Sequence, residues 1–107
     1  MVIVKTVTFE VKKEAREKFE AKFKHDAESL ANWETCLANE VWIAEKEAAV
    51  ILTAISKWHS EDDFKAWMKR PEHAQEHKAH AAERRSEDSP LISKNMMSYE
   101  EVTATTK

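Results

Sequence analysis

Apolar residues recur at every second position near the start of the chain. Residues 2–11 (VIVKTVTFEV) place Ile3, Val7, Phe9 and Val11 on one side, and their β-branched and aromatic types predict a strand. From Lys13 the period changes. Ala15, Phe19, Phe23, Ala27 and Leu30 follow one another at steps of four, four, four and three, which predicts a helix to Ala31 with one apolar stripe. Asn32 is the expected stop, because asparagine is the residue best suited to a left-handed cap where glycine is lacking. Residues 36–44 and 48–58 predict two more strands. The polar Glu45-Lys46-Glu47 turn between them makes a hairpin, and the second strand is apolar enough for a central place. Ser60 followed by Glu61, Asp62 and Asp63 is a capping signature that opens a short helix over 61–69. Pro71 suits the first position of a further helix, running to about residue 84. Residues 86–94, with Pro90, are expected as a loop, and 95–103, with Met97, Tyr99 and Val102, as a last strand.

The order β-α-β-β-α-β predicts a ferredoxin-like α+β fold, an antiparallel sheet with helices on one face. At 107 residues the chain is expected to form a single domain, 1–107. A domain this small buries roughly 60–70% of the surface its unfolded chain exposes. Its core is thin, and the second sheet face stays open, so pairing with another copy of the chain is expected.

Composition narrows the chemistry. There is no glycine, so neither a GxGxxG fingerprint nor a Walker-type phosphate loop exists. Seventeen basic and 20 acidic residues are interspersed and leave a net charge of −3, which predicts no nucleic-acid footprint. No apolar run reaches the ~18 residues of a membrane span, and no leader pattern precedes the first strand. The single cysteine, Cys36, closes no intrachain disulfide and suits a reducing cytoplasm.

His73, His77 and His80 are spaced four and three apart, hence on one face of the expected helix. Histidine is the commonest metal ligand and also binds haem iron axially. The alternative is a solvated helix face with no ligand role. His73-x-x-Glu76-His77 also spells the inverted zinc-peptidase pattern, but a catalytic zinc needs a third protein ligand and no carboxylate is evidently paired with this helix. By spacing alone, Trp67 three residues after Phe64, and Phe23 four after Phe19, are ordinary core partners.

Trp58 to Trp67 (WHSEDDFKAW), then His77, then Ser89-Pro-Leu-Ile and a closing strand with Tyr99, together resemble the antibiotic biosynthesis monooxygenase domain, and within it the haem-degrading monooxygenases of the IsdG type. The resemblance implies a homodimer paired into a dimeric α+β barrel, with haem between sheet and helices as both substrate and cofactor. It implies His77 as the axial iron ligand, Trp67 as the tryptophan pressing on the macrocycle, and Val7 and Phe23 as further cofactor-binding residues. An external electron donor, either a reductase or a small-molecule reductant, is implied too, with an open tetrapyrrole and free iron as products. The chain departs from the family at Val7, where the resemblance implies an asparagine donor facing the pocket, and at His73 and Glu76, which make the neighbourhood of His77 more polar. Two alternatives stand beside haem degradation: a cofactor-independent monooxygenase acting on a quinol-type aromatic, and a haem-binding carrier with little turnover.

Overall fold

The computed structural model describes residues 1–71 and 89–106. Strand β1 (Ile3–Lys12) follows the period-two pattern, and its odd positions Phe9 and Val11 are buried. A single 3₁₀ turn, Lys13–Ala15, tucks Ala15 under the sheet before helix α1 (Arg16–Ala31) begins. The helix thus starts three residues later than its periodicity predicts. Phe19, Phe23 and Leu30 are its buried stripe, as expected.

Strands β2 (Cys36–Glu45) and β3 (Ala49–Trp58) form the hairpin, closed where the Lys46 N–H donates to the Ala49 carbonyl at 2.8 Å. Helix α2 (Glu61–Met68) opens as the capping signature requires: the Asp63 N–H donates to the Ser60 hydroxyl at 3.2 Å, with three acidic residues in the first turn. Strand β4 (Leu91–Glu100) completes an antiparallel sheet of order β2-β3-β1-β4, the ferredoxin-like arrangement. The expected helix from Pro71 to about residue 84 falls, beyond Pro71 itself, outside the described residues.

Two expectations are corrected. Asn32 is not left-handed: its φ is −94°, and no described residue has positive φ. The helix ends instead on ordinary right-handed geometry, with the Asn32 side-chain amide donating to the Glu28 carbonyl at 3.1 Å, so a side-chain bond takes over the role of a glycine cap. The last strand runs 91–100 rather than 95–103. Leu91, Ser93 and Lys94, assigned to a loop, pair with β1, and Pro90 sits just outside, its carbonyl accepting from Lys12 N–H at 2.9 Å, where its own missing donor costs nothing. Ile92 is the extra residue of a bulge opposite Glu10 and Val11.

The core has two parts on the helix-covered side of the sheet. One gathers Phe9, Val11, Ala15, Phe19, Phe23, Val50 and Leu52, with Phe9 edge-on to Phe19 and Phe23 at 5.9 and 5.2 Å. The other gathers Leu30, Trp58 and Trp67. Trp58 is wholly buried, and its indole N–H donates to the Ser56 hydroxyl at 2.9 Å, which satisfies its polar end.

Candidate functional site

A cavity of about 200 Å³ lies between the inner face of the sheet and the two helices. Strand alternation sends Lys5, Val7 and Phe9 of β1, Ala54 and Ser56 of β3, and Lys94 and Met96 of β4 into it, because these are mutual cross-strand partners on one face. Helix α1 contributes Phe23 and Leu30 at helical spacing, and α2 contributes Phe64 and Trp67. Val7, Phe23 and Trp67, the described residues expected at the site, therefore line the same cavity. His77 lies outside the described residues, as do His73, Glu76 and His80. The two described histidines, His25 and His59, are exposed and line no part of the cavity.

Trp67 is 7% exposed and held on two sides. Its ring meets Trp33 edge-on at 5.2 Å, and the Arg70 guanidinium stacks over it at 3.4 Å while donating from Nη1 to the Trp67 carbonyl at 3.0 Å. The indole is thus a fixed wall rather than a mobile flap.

Sequence reasoning missed the charged lining. Lys5, Lys22, Arg70 and Lys94 face the cavity, against one carboxylate, Asp26, among the described residues. Lys22 and Lys94 stand over the Phe9 ring at 5.1 and 5.6 Å. Lys5, only 11% exposed along its side chain, bonds Glu61 at 2.6 Å and lies 4.8 Å from the centre of the Phe64 ring. The signal was present in the period-two pattern: Lys5 occupies an odd position of β1, on the same face as Val7 and Phe9.

The profile of the antibiotic biosynthesis monooxygenase family matches residues 1–79. The chain belongs to this family. No curated protein sequence matches it. Among solved structures, the family fold recurs in MhuD of Mycobacterium tuberculosis, described as a heme-degrader with two hemes bound in its active site, at 23% identity and TM-score 0.66, over 97% of this chain and 99% of that one. It recurs in SnoaB of Streptomyces nogalater, a cofactor-independent oxygenase, at 17% identity and TM-score 0.69, over 98% of both chains. Rv0793 of Mycobacterium tuberculosis superposes with TM-score 0.73 at 10% identity, over 99% and 100%. At these identities the likeness establishes the ferredoxin-like fold. One of these structural neighbours is described as a heme-degrader and another as cofactor-independent, so the choice of chemistry rests on this chain's own cavity.

The cavity can hold a flat apolar group and an anionic one together. Phenyl and indole rings wall it, and four cations ring it. Its volume is below the ~300–1,000 Å³ of sites that enclose a whole drug-sized ligand. A larger ligand therefore projects through its open side.

Proposed function

We propose that this family member is a haem-degrading monooxygenase. The observation that carries the reading is the pairing, in one cavity, of the aromatic wall of Phe9, Phe23, Phe64 and Trp67 with four cationic side chains. A porphyrin has the same two needs, an apolar face for the ring and positive charge for its carboxylates. The described residues thus fit the group, and His77 is the residue that would hold its iron. Haem, when bound, supplies the iron that activates oxygen and is itself the ring that is opened.

The chain's own residues do the rest. Val7, Phe23 and Met96 exclude water from the ring, which strengthens every electrostatic contact inside. Lys22 and Lys94 attract carboxylates at the Phe9 end of the cavity. Arg70 keeps Trp67 in one orientation, so the ring is received by a preorganised surface. Electrons come from a reductase or a small-molecule reductant. On this reading residues 1–107 act as one domain, in a reducing cytoplasm that suits the free thiol of Cys36. The protein works as a homodimer, a view supported by the outer sheet face, where Trp42, Met97 and Tyr99 are 57%, 47% and 44% exposed.

A hemin titration tests the reading. It predicts a shifted Soret band that bleaches under air with ascorbate. A stable Soret band would instead favour the haem-binding carrier. Val7, which donates no hydrogen bond, favours a second reading, a cofactor-independent oxygenation of a quinol-type aromatic; that reading gains if hemin gives no Soret shift while such an aromatic is consumed under air.

A further inference from the structure

Lys5, like Arg70, holds a largely buried charge at the cavity, a position that is expensive. Lysine is almost never fully buried unless paired, and the rest of the inner face of β1 is apolar. Two contacts offset the cost: the Glu61 carboxylate at 2.6 Å and the face of Phe64 at 4.8 Å. Glu61 is the first residue of α2 and 45% exposed, so it holds the ammonium from the helix side, while Lys5 itself lines the cavity. An ammonium carries three donors. Glu61 takes one, and no other oxygen among the described residues accepts from it.

We propose that Lys5 is the cavity's anion-recognising donor. Its ammonium, positioned by Glu61 and Phe64, receives an anionic oxygen or a like anion borne by a planar ligand against the sheet wall. It stands two residues along the strand from Val7, on the same face. The inference rests on the reading of this cavity as the ligand site. The anion has two sources, the phenolate of a quinol-type ring or an anion held at the centre of a haem. Lys5 touches the ligand, and Glu61 is a positioning residue.

The test uses the full chain and its Lys5→Met, Lys5→Arg and Glu61→Gln variants, each checked for folding by circular dichroism. In one arm hemin is bound and fluoride is titrated. In the other, 2-naphthol is bound at fixed pH and its ionised fraction is read from absorbance. Lys5→Met is expected to keep the Soret shift but to weaken fluoride binding about tenfold, or to lower the ionised naphthol ratio about tenfold, the scale of one hydrogen bond to a charged group. Lys5→Arg should restore most of the effect, and Glu61→Gln should weaken it severalfold while leaving the charge in place. If Lys5→Met does not fold, the contrast between Glu61→Gln and the parent decides. Response in the naphthol arm without any Soret shift upholds the role of Lys5 and refutes haem as ligand. A normal Soret shift with both anion readouts unchanged refutes the role of Lys5 and leaves the haem reading standing. If the parent binds neither probe, both fall.

Discussion

Phe23 belongs at once to the core and to the cavity, and its truncation separates those roles. The ring is 4% exposed and meets Phe9 edge-on at 5.2 Å and 75°. Removing a buried phenyl costs about 3–5 kcal/mol, of which an aromatic pair of this geometry accounts for roughly 0.5–1.5. Phe23 borders a cavity that already exists, so the vacated space joins it and admits water instead of leaving a closed void. The lower end, about 3 kcal/mol, is therefore expected for Phe23→Ala, and about 1 kcal/mol for Phe23→Leu, which keeps most of the volume. Against a total of roughly 5–15 kcal/mol this is a large fraction. It corresponds to a fall in Tm of about 12–20 °C for a domain of this size. Urea unfolding followed by tryptophan fluorescence measures it, with Lys24→Ala on the exposed side of α1 as control. A ligand that binds only the folded chain adds about 2.7 kcal/mol at a hundredfold excess over its Kd, so hemin should raise the midpoint of Phe23→Leu by nearly as much as the parent's and that of Phe23→Ala by clearly less. A Phe23→Ala midpoint equal to that of Lys24→Ala refutes the packing argument, and equal hemin protection of all three proteins refutes the place of Phe23 in the site.

Four further outcomes are expected. His77→Ala should abolish the shifted Soret band, whereas His73→Ala and His80→Ala should leave it largely intact; equal loss from all three indicates non-specific metal capture. Trp42→Asp should convert the protein to a monomer of 12.4 kDa by light scattering without loss of the far-ultraviolet signal, and a parent that is already monomeric at micromolar concentration counts against the barrel. Burial raises the Cys36 thiol pKa, outweighing its bonds to the Ala38 and Lys57 backbone, so the folded chain holds this proton more tightly than the unfolded one. The resulting stability is complete below the unfolded pKa of ~8.5 and is lost as pH rises through the folded value; Cys36→Ser should flatten that alkaline decline in urea midpoints. Val7→Asn should hasten Soret loss under air with ascorbate, by about tenfold or more in a Lys5→Met background and less where Lys5 is present, and unchanged rates with intact hemin binding count against haem degradation.

The elements were legible because each has a period or a cap that local physics dictates. The steps of four along α1 and the Ser60-to-Asp63 cap needed no tertiary information. The beginning of β4 did, because Leu91 to Lys94 are strand only by virtue of pairing with β1, and Pro90 beside them signals a loop. The end of α1 shows a similar limit: with no glycine in the chain, the cap is made by the side-chain amide of Asn32 on the Glu28 carbonyl and its backbone N–H on the Ser29 carbonyl, not by a left-handed residue. At the site, the apolar members Val7, Phe23 and Trp67 followed from faces and resemblance. The cations did not, because a lysine in an alternating strand or along a helix is ordinarily solvated. Only the meeting of β1, β4, α1 and the end of α2 turns Lys5, Lys22, Lys94 and Arg70 toward one space.

The parity of β1 makes binding and assembly separable. Odd positions Lys5, Val7 and Phe9 open on the cavity, whereas Thr6 and Thr8 lie on the opposite face, with Thr8 bonded across it to the Thr53 hydroxyl at 3.1 Å. Cross-strand pairing carries the same division through the sheet, placing Trp42 beside Thr53 and Met97 beside Thr6, on the face opposite α1 and α2. Substitutions at odd positions of β1 should therefore read out in ligand affinity with assembly unchanged, and those at even positions in assembly with affinity changed only secondarily. A slip of one residue would exchange the two sets, putting the threonines in the cavity and a lysine on the apolar face. The burial of Phe9 and Val11 under α1 prevents that slip, so the same contacts that stabilise the core also keep the ammonium of Lys5 in the site.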